Sequence, residues 1–275
     1  MTRRDDLHIS VNGETLLLDK SGAAVWPAEK TLVFADLHFE KGSAYAKRGA
    51  LLPPYDTRST IKRMAEAIGR HKPLRVIALG DSFHDGEAAD RLDPEERAML
   101  ARLAAGAEWI WVEGNHDPKP PAWIGGRVAA EIAFGGLVFR HVPAPCRPGP
   151  DQLPLMLRQA HPSRRRFAAP QDEGLGNPLT LSQSKGEGTR PGQAGEVAGH
   201  LHPATVVRRG GMSVRRRCFV SNGARLLLPS FGAYTGGLDV RDIAIASLFA
   251  DGFCVYALGR ERVYTVKHKP AKCGP

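Results

Sequence analysis

The chain has 275 residues, enough to bury a substantial core in one large domain or two small ones. Its 42% hydrophobic and 24% charged content is ordinary for a globular protein, and no apolar run reaches the length of a membrane span, which excludes a helical membrane protein. The 38 Lys+Arg against 29 Asp+Glu give a formal charge of +9 and a pI near 9.6, a balance that favours polyanionic partners, nucleic acid before anionic membrane. A basic surface kept for solubility would give the same count.

The first residues, Met1 to His8, carry two acids and no apolar segment, so no signal peptide is expected. Residues 7–18 alternate as a β-hairpin, with Asn12-Gly13 at the turn and Glu14–Leu18 returning. Thr31–Ala35 is a short apolar strand that runs into Asp36. Residues 56–71 place Ile61, Met64, Ala65 and Ile68 at helical spacing. Arg75–Leu79 is a strand ending at Gly80-Asp81. Asp93-Pro94-Glu95-Glu96 opens a helix to about Ala105, with Asp93 as cap, Pro94 in the first turn and Glu96 able to reach back. Glu108–Val112 is the next strand and ends at Gly114-Asn115.

This alternation indicates parallel βαβ units, whose strands present ligand sites at their carboxyl ends. The second half reads as mainly β, with strands over 137–140, 196–198, 218–221, 226–228, 253–258 and 262–266 and a tight turn at Asn222-Gly223. A layered α/β sandwich with two facing sheets accommodates both halves, so residues 1–275 are expected to form one domain. The segment 147–194 is rich in Pro, Gly, Ser, Gln and Arg and reads as a flexible insertion, with one helical turn at 153–158. Four scattered cysteines (Cys146, Cys218, Cys254, Cys273) without a C-x-x-C pair fit reduced thiols, and a cytoplasmic location is expected.

The polar residues at the strand ends carry the chemistry. Asp36 and His38, at i and i+2 of an extended segment, would point the same way and reach one ion. Their carboxylate oxygen and imidazole nitrogen suit Mn, Fe or Zn. Asp81 follows a strand and a glycine, and the two oxygens of a carboxylate can bridge two ions, as in two-metal hydrolases. In Gly114-Asn115-His116-Asp117, Asn115 offers a neutral ligand oxygen and His116 can face substrate as a proton donor. Asp117 is expected to hold the His116 ring in its tautomer. His200 and His202 in Gly-His-Leu-His can serve one ion each, and His141 at another strand end supplies a further nitrogen. Each motif alone is also explained by a turn or a solvated loop. Together they hold enough O and N donors for two adjacent metals, with no cysteine of a structural zinc site.

The order Asp-x-His, Gly-Asp, Gly-Asn-His-Asp, His, Gly-His-x-His resembles the calcineurin-like metallophosphoesterase superfamily. The resemblance implies a four-layer α/β/β/α sandwich and two ions, Mn, Fe or Zn. Asp36, His38 and His202 would bind the first ion, Asn115, His141 and His200 the second. Asp81 would bridge them, and His116 would be the unligated catalytic imidazole. Asp-Leu-His-Phe-Glu-Lys-Gly at 36–42, Gly-Asp-Ser-Phe-His-Asp at 80–85, Arg-Arg-Arg-Cys-Phe at 215–219 and Leu-Pro-Ser-Phe-Gly-Ala-Tyr-Thr-Gly-Gly at 228–237 are similar to the bacterial ligase-associated DNA-damage-response endonuclease (PdeM) branch. That similarity implies a manganese phosphodiesterase acting on DNA, associated with a DNA ligase, a helicase and an exonuclease. The 147–194 insertion departs from the branch pattern.

Three functions follow. A DNA endonuclease would hold the phosphate backbone by basic residues, with Arg215, Arg216 and Arg217 the first candidates and Arg164, Arg165 and Arg166 the second. A hydrolase of a small phosphoester (nucleotide, cyclic nucleotide or lipid-linked pyrophosphate) would use the same ligands. A metal-stabilised scaffold for repair proteins has no use for His116.

Overall fold

The computed structural model describes residues 7–50, 52–117, 120–145, 194–249 and 252–266. Two mixed sheets face one another. The first runs β1 (Leu7–Val11), β2 (Glu14–Leu18), β3 (Ala24–Trp26), β4 (Thr31–Ala35), β5 (Arg75–Leu79), β6 (Glu108–Val112) and β7 (Arg127–Ala129), in that spatial order. The hairpin turn forms at Asn12-Gly13, both with positive φ (51° and 87°) as a two-residue turn of this kind needs. From β4 to β7 every pairing is parallel.

Strands β4 to β6 are near-continuous apolar runs because both of their faces are covered. Leu32, Phe34, Val76, Ala78, Trp109 and Trp111 point outward. They pack beneath Ile61, Met64 and Ala67 of helix α2 (Asp56–His71) and Leu100 and Ala104 of helix α4 (Pro94–Ala105). The alternate residues Val33, Ala35, Ile77, Leu79, Ile110 and Val112 meet Leu137, Phe139, Val197, Phe219 and Leu226 of the second sheet. Truncating Phe139, fully buried in this seam, would cost about 3–5 kcal/mol.

The caps follow the local sequence. Helix α2 ends where Lys72 turns left-handed (φ 45°) and its amide reaches the Ile68 carbonyl. At α4 the Asp93 carboxylate accepts the Glu95 amide at 2.8 Å, with Pro94 in the first turn. Glu96 does not reach back as expected; it is buried and lies 3.6 Å from Arg58 Nε. Two shorter helices, α1 (Lys41–Lys47) and α3 (Ala88–Arg91), follow β4 and β5.

The second sheet has the order β15 (Val263–Val266), β14 (Cys254–Leu258), β12 (Met212–Ser221), β13 (Arg225–Leu227), β10 (Gly195–Ala198), β9 (Leu137–Arg140) and β8 (Glu131–Phe134). Its outer face, including Cys218, Val220 and Val255, lies under Ile245 and Phe249. Among the described residues this fourth layer is thin, with one short helix at Ile243–Ala246.

Several elements differ from the sequence expectation. Strand β12 starts at Met212 rather than Cys218, because residues 212–217 pair with β11 (Ala204–Arg209) as a projecting ribbon closed by Gly210-Gly211. That ribbon lacks the half-buried alternation by which strands are recognised, its Met212 to Arg216 being exposed. The short β3, β7 and β8 carry too few residues for a period. Cys218 is free and buried, and Cys146 and Cys273 lie outside the described residues. Most of the 147–194 insertion, with its 153–158 turn and Arg164 to Arg166, lies outside the described residues. Among the described residues no helix is long and apolar enough to cross a membrane.

Candidate metal centre

The polar motifs gather where the two sheets meet at their strand ends. Asp36 follows β4, Asp81 follows β5 after Gly80, and Asn115 follows β6. From the facing sheet, His141 follows β9, and His200 and His202 follow β10. The two rims are stitched together: His141 Nδ1 meets the Leu79 carbonyl at 3.0 Å, and the His200 amide donates to both Asp36 oxygens at 3.0 and 3.1 Å.

Two groups of donors result. Asp36, His38 and His202 form one, and Asp81, His141 and His200 the other; within each group the ligand atoms all lie within 4.8 Å of one another. In the first, His38 Nε2 is 3.4 Å from His202 Nε2, which is 3.3 Å from Asp36 Oδ1. In the second, His141 Nε2 lies 3.1 Å from His200 Nδ1, 2.9 Å from Asn115 Oδ1 and 3.4 Å from Asp81 Oδ1. The other Asp81 oxygen, Oδ2, lies 3.8 Å from His38 Nε2. One carboxylate thus divides its oxygens between the groups. Imidazole nitrogens converging on one another and on carboxylate oxygens make the donor set of a borderline divalent cation, so the residues fit two such ions.

The backbone that produces this convergence is not extended. Asp36, His38, Asp81, His200 and His202 all have positive φ, between 43° and 71°. The expected i, i+2 geometry of a strand therefore does not apply to Asp36 and His38. Each sits in a left-handed turn that costs about 1–3 kcal/mol and persists because the surrounding contacts over-determine it. Backbone bonds from His38 to the Asp81 carbonyl (2.9 Å) and from Gly232 to the Asp36 carbonyl (3.0 Å) are among those contacts. The glycines beside the site admit the close approach: a Cβ on Gly114 would lie 2.1 Å from the Asp81 nitrogen, and one on Gly80 would lie 2.4 Å from the His141 ring.

The electrostatics follow from burial and proximity. Burial alone would raise the Asp81 carboxyl, but the hydrogen bond and charge of His141, with the His116 amide at 2.9 Å, hold it below the usual carboxylate range. Burial lowers the His200 ring, and the neighbouring His141 adds to that. Burial raises the Asp117 carboxyl to about 7.

His116 and Asp117 separate in a way the sequence did not reveal. The His116 ring is 41% exposed, with Nε2 3.9 Å from Asp81 Oδ2 and Nδ1 2.9 Å from the His84 carbonyl. That carbonyl, not Asp117, sets the tautomer: Nδ1 carries the hydrogen and Nε2 faces the metal groups. Asp117 is buried and turned the other way, its Oδ2 accepting the Phe83 amide at 2.9 Å. The expected Asp117–His116 pair is therefore corrected: Asp117 braces the loop after Asp81.

His84 is the residue that motif reading passed over. Its Nδ1 lies 3.4 Å from His38 Nδ1, and its ring stacks on His116 with centroids 5.4 Å apart and an 18° interplanar angle. Burial first, then Lys41, His116 and Arg48, lower its pKa to about 4. The signal available was a third polar residue in Gly-Asp-Ser-Phe-His-Asp.

The three arginines of β12 do not act alike. Arg217 is half-buried and donates to the carbonyls of Ser230 (2.8 Å) and Gly232 (2.9 Å). Arg63 donates to the Phe231 carbonyl and lies over the Phe231 ring at 4.7 Å. Together they fasten the 230–232 segment whose Phe231 and Gly232 amides cap Ala35 and Asp36. Arg217 is thus committed to the interior, a correction to its expected place among DNA contacts. Arg215 and Arg216 remain on the exposed ribbon.

Residues 29–203 match the family described as Calcineurin-like phosphoesterase, a span that encloses every strand-end motif from Asp36 to His202. The crystal structure of Pseudomonas putida nuclease MPE is similar over 95% of this chain and 100% of that one, at 24% identity and a TM-score of 0.63. A conserved uncharacterized protein, a predicted phosphoesterase, from Streptococcus pneumoniae matches over 85% of this chain and 91% of its own, at 17% identity and a TM-score of 0.30, too low to argue from. No curated protein matches. The chain belongs to the calcineurin-like phosphoesterase family and is a metal-dependent phosphoesterase.

Proposed function

We propose that this calcineurin-like phosphoesterase is a DNA-cleaving phosphodiesterase of the ligase-associated DNA-damage-response (PdeM) branch, loaded with manganese. The observation that carries the two-metal part is Asp81, whose oxygens face His141 on one side and His38 on the other. Asp36, His38 and His202 would hold one cation, Asn115, His141 and His200 the other, and Asp81 both. When bound, the two cations would activate water and neutralise phosphoryl oxygens. Mixed O and N donors without sulfur suit manganese, iron or zinc, and the branch resemblance puts manganese first.

In its imidazolium form His116 would donate the Nε2 proton to the leaving oxygen and keep its Nδ1 hydrogen on the His84 carbonyl, leaving a neutral ring behind. The buried left-handed turns keep the carboxylates and imidazoles aimed before substrate arrives. We read the molecule as one domain because the central cluster takes side chains from both sheets.

The net charge of +9 and the exposed Arg215 and Arg216 support a polyanionic substrate, held through its phosphates. The branch motifs at 36–42, 80–85 and 228–237 support DNA and a repair setting with a ligase, a helicase and an exonuclease.

Plasmid nicking by the manganese-loaded protein at two salt concentrations tests this reading. Nicking that weakens steeply with salt is expected. Intact supercoiled plasmid beside brisk turnover of a nucleotide or phosphomonoester would transfer the assignment to a small-phosphoester hydrolase.

A further inference from the structure

We propose that helix α1 forms a nucleotide subsite beside the metal centre, in which Tyr45 stacks on the base flanking the scissile phosphodiester and Lys41 and Arg48 contact the next phosphate. The proposal rests on the phosphodiesterase reading above and adds the recognition element.

Lys41, Tyr45 and Arg48 stand at i, i+4 and i+7, and so share one side of the helix and its final turn. The orientation of that side follows from the rings. Tyr45 lies nearly parallel to His84, with centroids 6.3 Å apart and a 28° interplanar angle, and His84 continues onto His116. Three near-parallel rings therefore lead outward from the catalytic imidazole. Tyr45 is their outer member, 37% exposed and open to a fourth. An unpaired nucleobase has the flat face that such a platform takes, whatever its identity.

The charges beside the rings are complementary to a phosphate. Lys41 is half-buried and, among the described residues, forms no ion pair, whereas Lys47 on the same helix meets Glu87 at 2.5 Å. Burial lowers the Lys41 ammonium, and Asp56 and Asp81 act in the opposite direction. A cation kept partly out of water without a partner is expensive unless an anion joins it. The helix is also anchored: the Gly42 amide donates to Asp56 at 3.0 Å and Arg91 Nε to Ser43 Oγ at 2.9 Å. Substrate would thus meet a preorganised surface.

The test uses the full-length manganese-loaded protein, a short single-stranded oligonucleotide and the same oligonucleotide with abasic residues. On the normal strand Tyr45→Ala should lower kcat/KM by about 5- to 150-fold, and Tyr45→Phe should retain it. On the abasic strand Tyr45→Ala should match the unsubstituted protein. Arg48→Gln should reduce the log–log salt slope by about 0.7, the share of one phosphate contact on a single strand. Equal losses for Tyr45→Ala on both strands, or none on either, would overturn the subsite while leaving the nuclease reading intact. Failure of the unsubstituted protein to cut any oligonucleotide would overturn both.

Discussion

His38 and His84 meet through their Nδ1 atoms at 3.4 Å, deep in the cleft and away from the His38 nitrogen that faces Asp81. Only one of the two atoms can carry the hydrogen. Burial, with Lys41 and His116 adding to it, lowers His84 to about 4, so His84 is neutral at pH 7 and can accept. His38 then donates from Nδ1 and presents the Nε2 lone pair to the metal group. His84→Ala removes the acceptor and should weaken manganese binding by about 10- to 100-fold. Calorimetric titration reads this directly, and an unchanged affinity would refute the tautomer assignment.

Asp81→Asn should be more damaging. An amide has one oxygen, so it cannot serve His141 and His38 groups alike, and its nitrogen would face lone pairs. Metal content per chain should fall and turnover with it. Full occupancy of both sites in the variant, read by elemental analysis, would remove Asp81 from the bridging role.

For His116→Ala the expectation is the reverse in metal content: both ions are retained while turnover drops about 10²- to 10⁴-fold. The loss should shrink for a nitrophenolate leaving group, which needs no proton on departure. A loss independent of the leaving group would make His116 a substrate-binding residue instead.

Asp19 tests the electrostatics of the scaffold away from the metals. It is 8% exposed and meets Arg70 at 3.0 Å and His71 at 2.8 Å. Burial alone would raise its carboxyl, but the His71 bond, the Ser21 bonds and Arg70 hold it well below the ordinary range. A depressed folded-state value means that the stabilisation is present above the unfolded value of about 3.9 and is lost as pH falls through the folded one. Asp19→Asn should therefore cost about 1.5–3 kcal/mol at pH 7 and progressively less below pH 4. Urea unfolding at both pH values gives the comparison, and a cost that does not change with pH would contradict it.

Much of the site was legible because its inventory is local. The apolar strands at 31–35, 75–79 and 108–112 end in Asp36, Asp81 and Asn115, and strand patterns place ligands at such ends. What was not legible depends on how backbone turns aim the side chains. The left-handed turns at Asp36 and His38 replaced the expected extended geometry. Asp117 follows His116 directly yet faces Phe83, because the strand-end turn sends neighbouring side chains apart. Arg215, Arg216 and Arg217 form one run, but their strand alternates, and Arg217 is drawn to the 230–232 carbonyls.

The sequence by itself determined which donors exist and the order of the elements that carry them, since periodicity, turn chemistry and capping act over a few residues. Only the tertiary structure decided which donors share a group. His38 and His202 are 164 residues apart and meet because the two sheets pack face to face and end at one rim. Within the first sheet, the parallel pairing of β4 with β5, continued by the Phe39–Phe83 bridge, placed His84 behind His38 and Tyr45 outside His84, relationships that no spacing along the chain encodes.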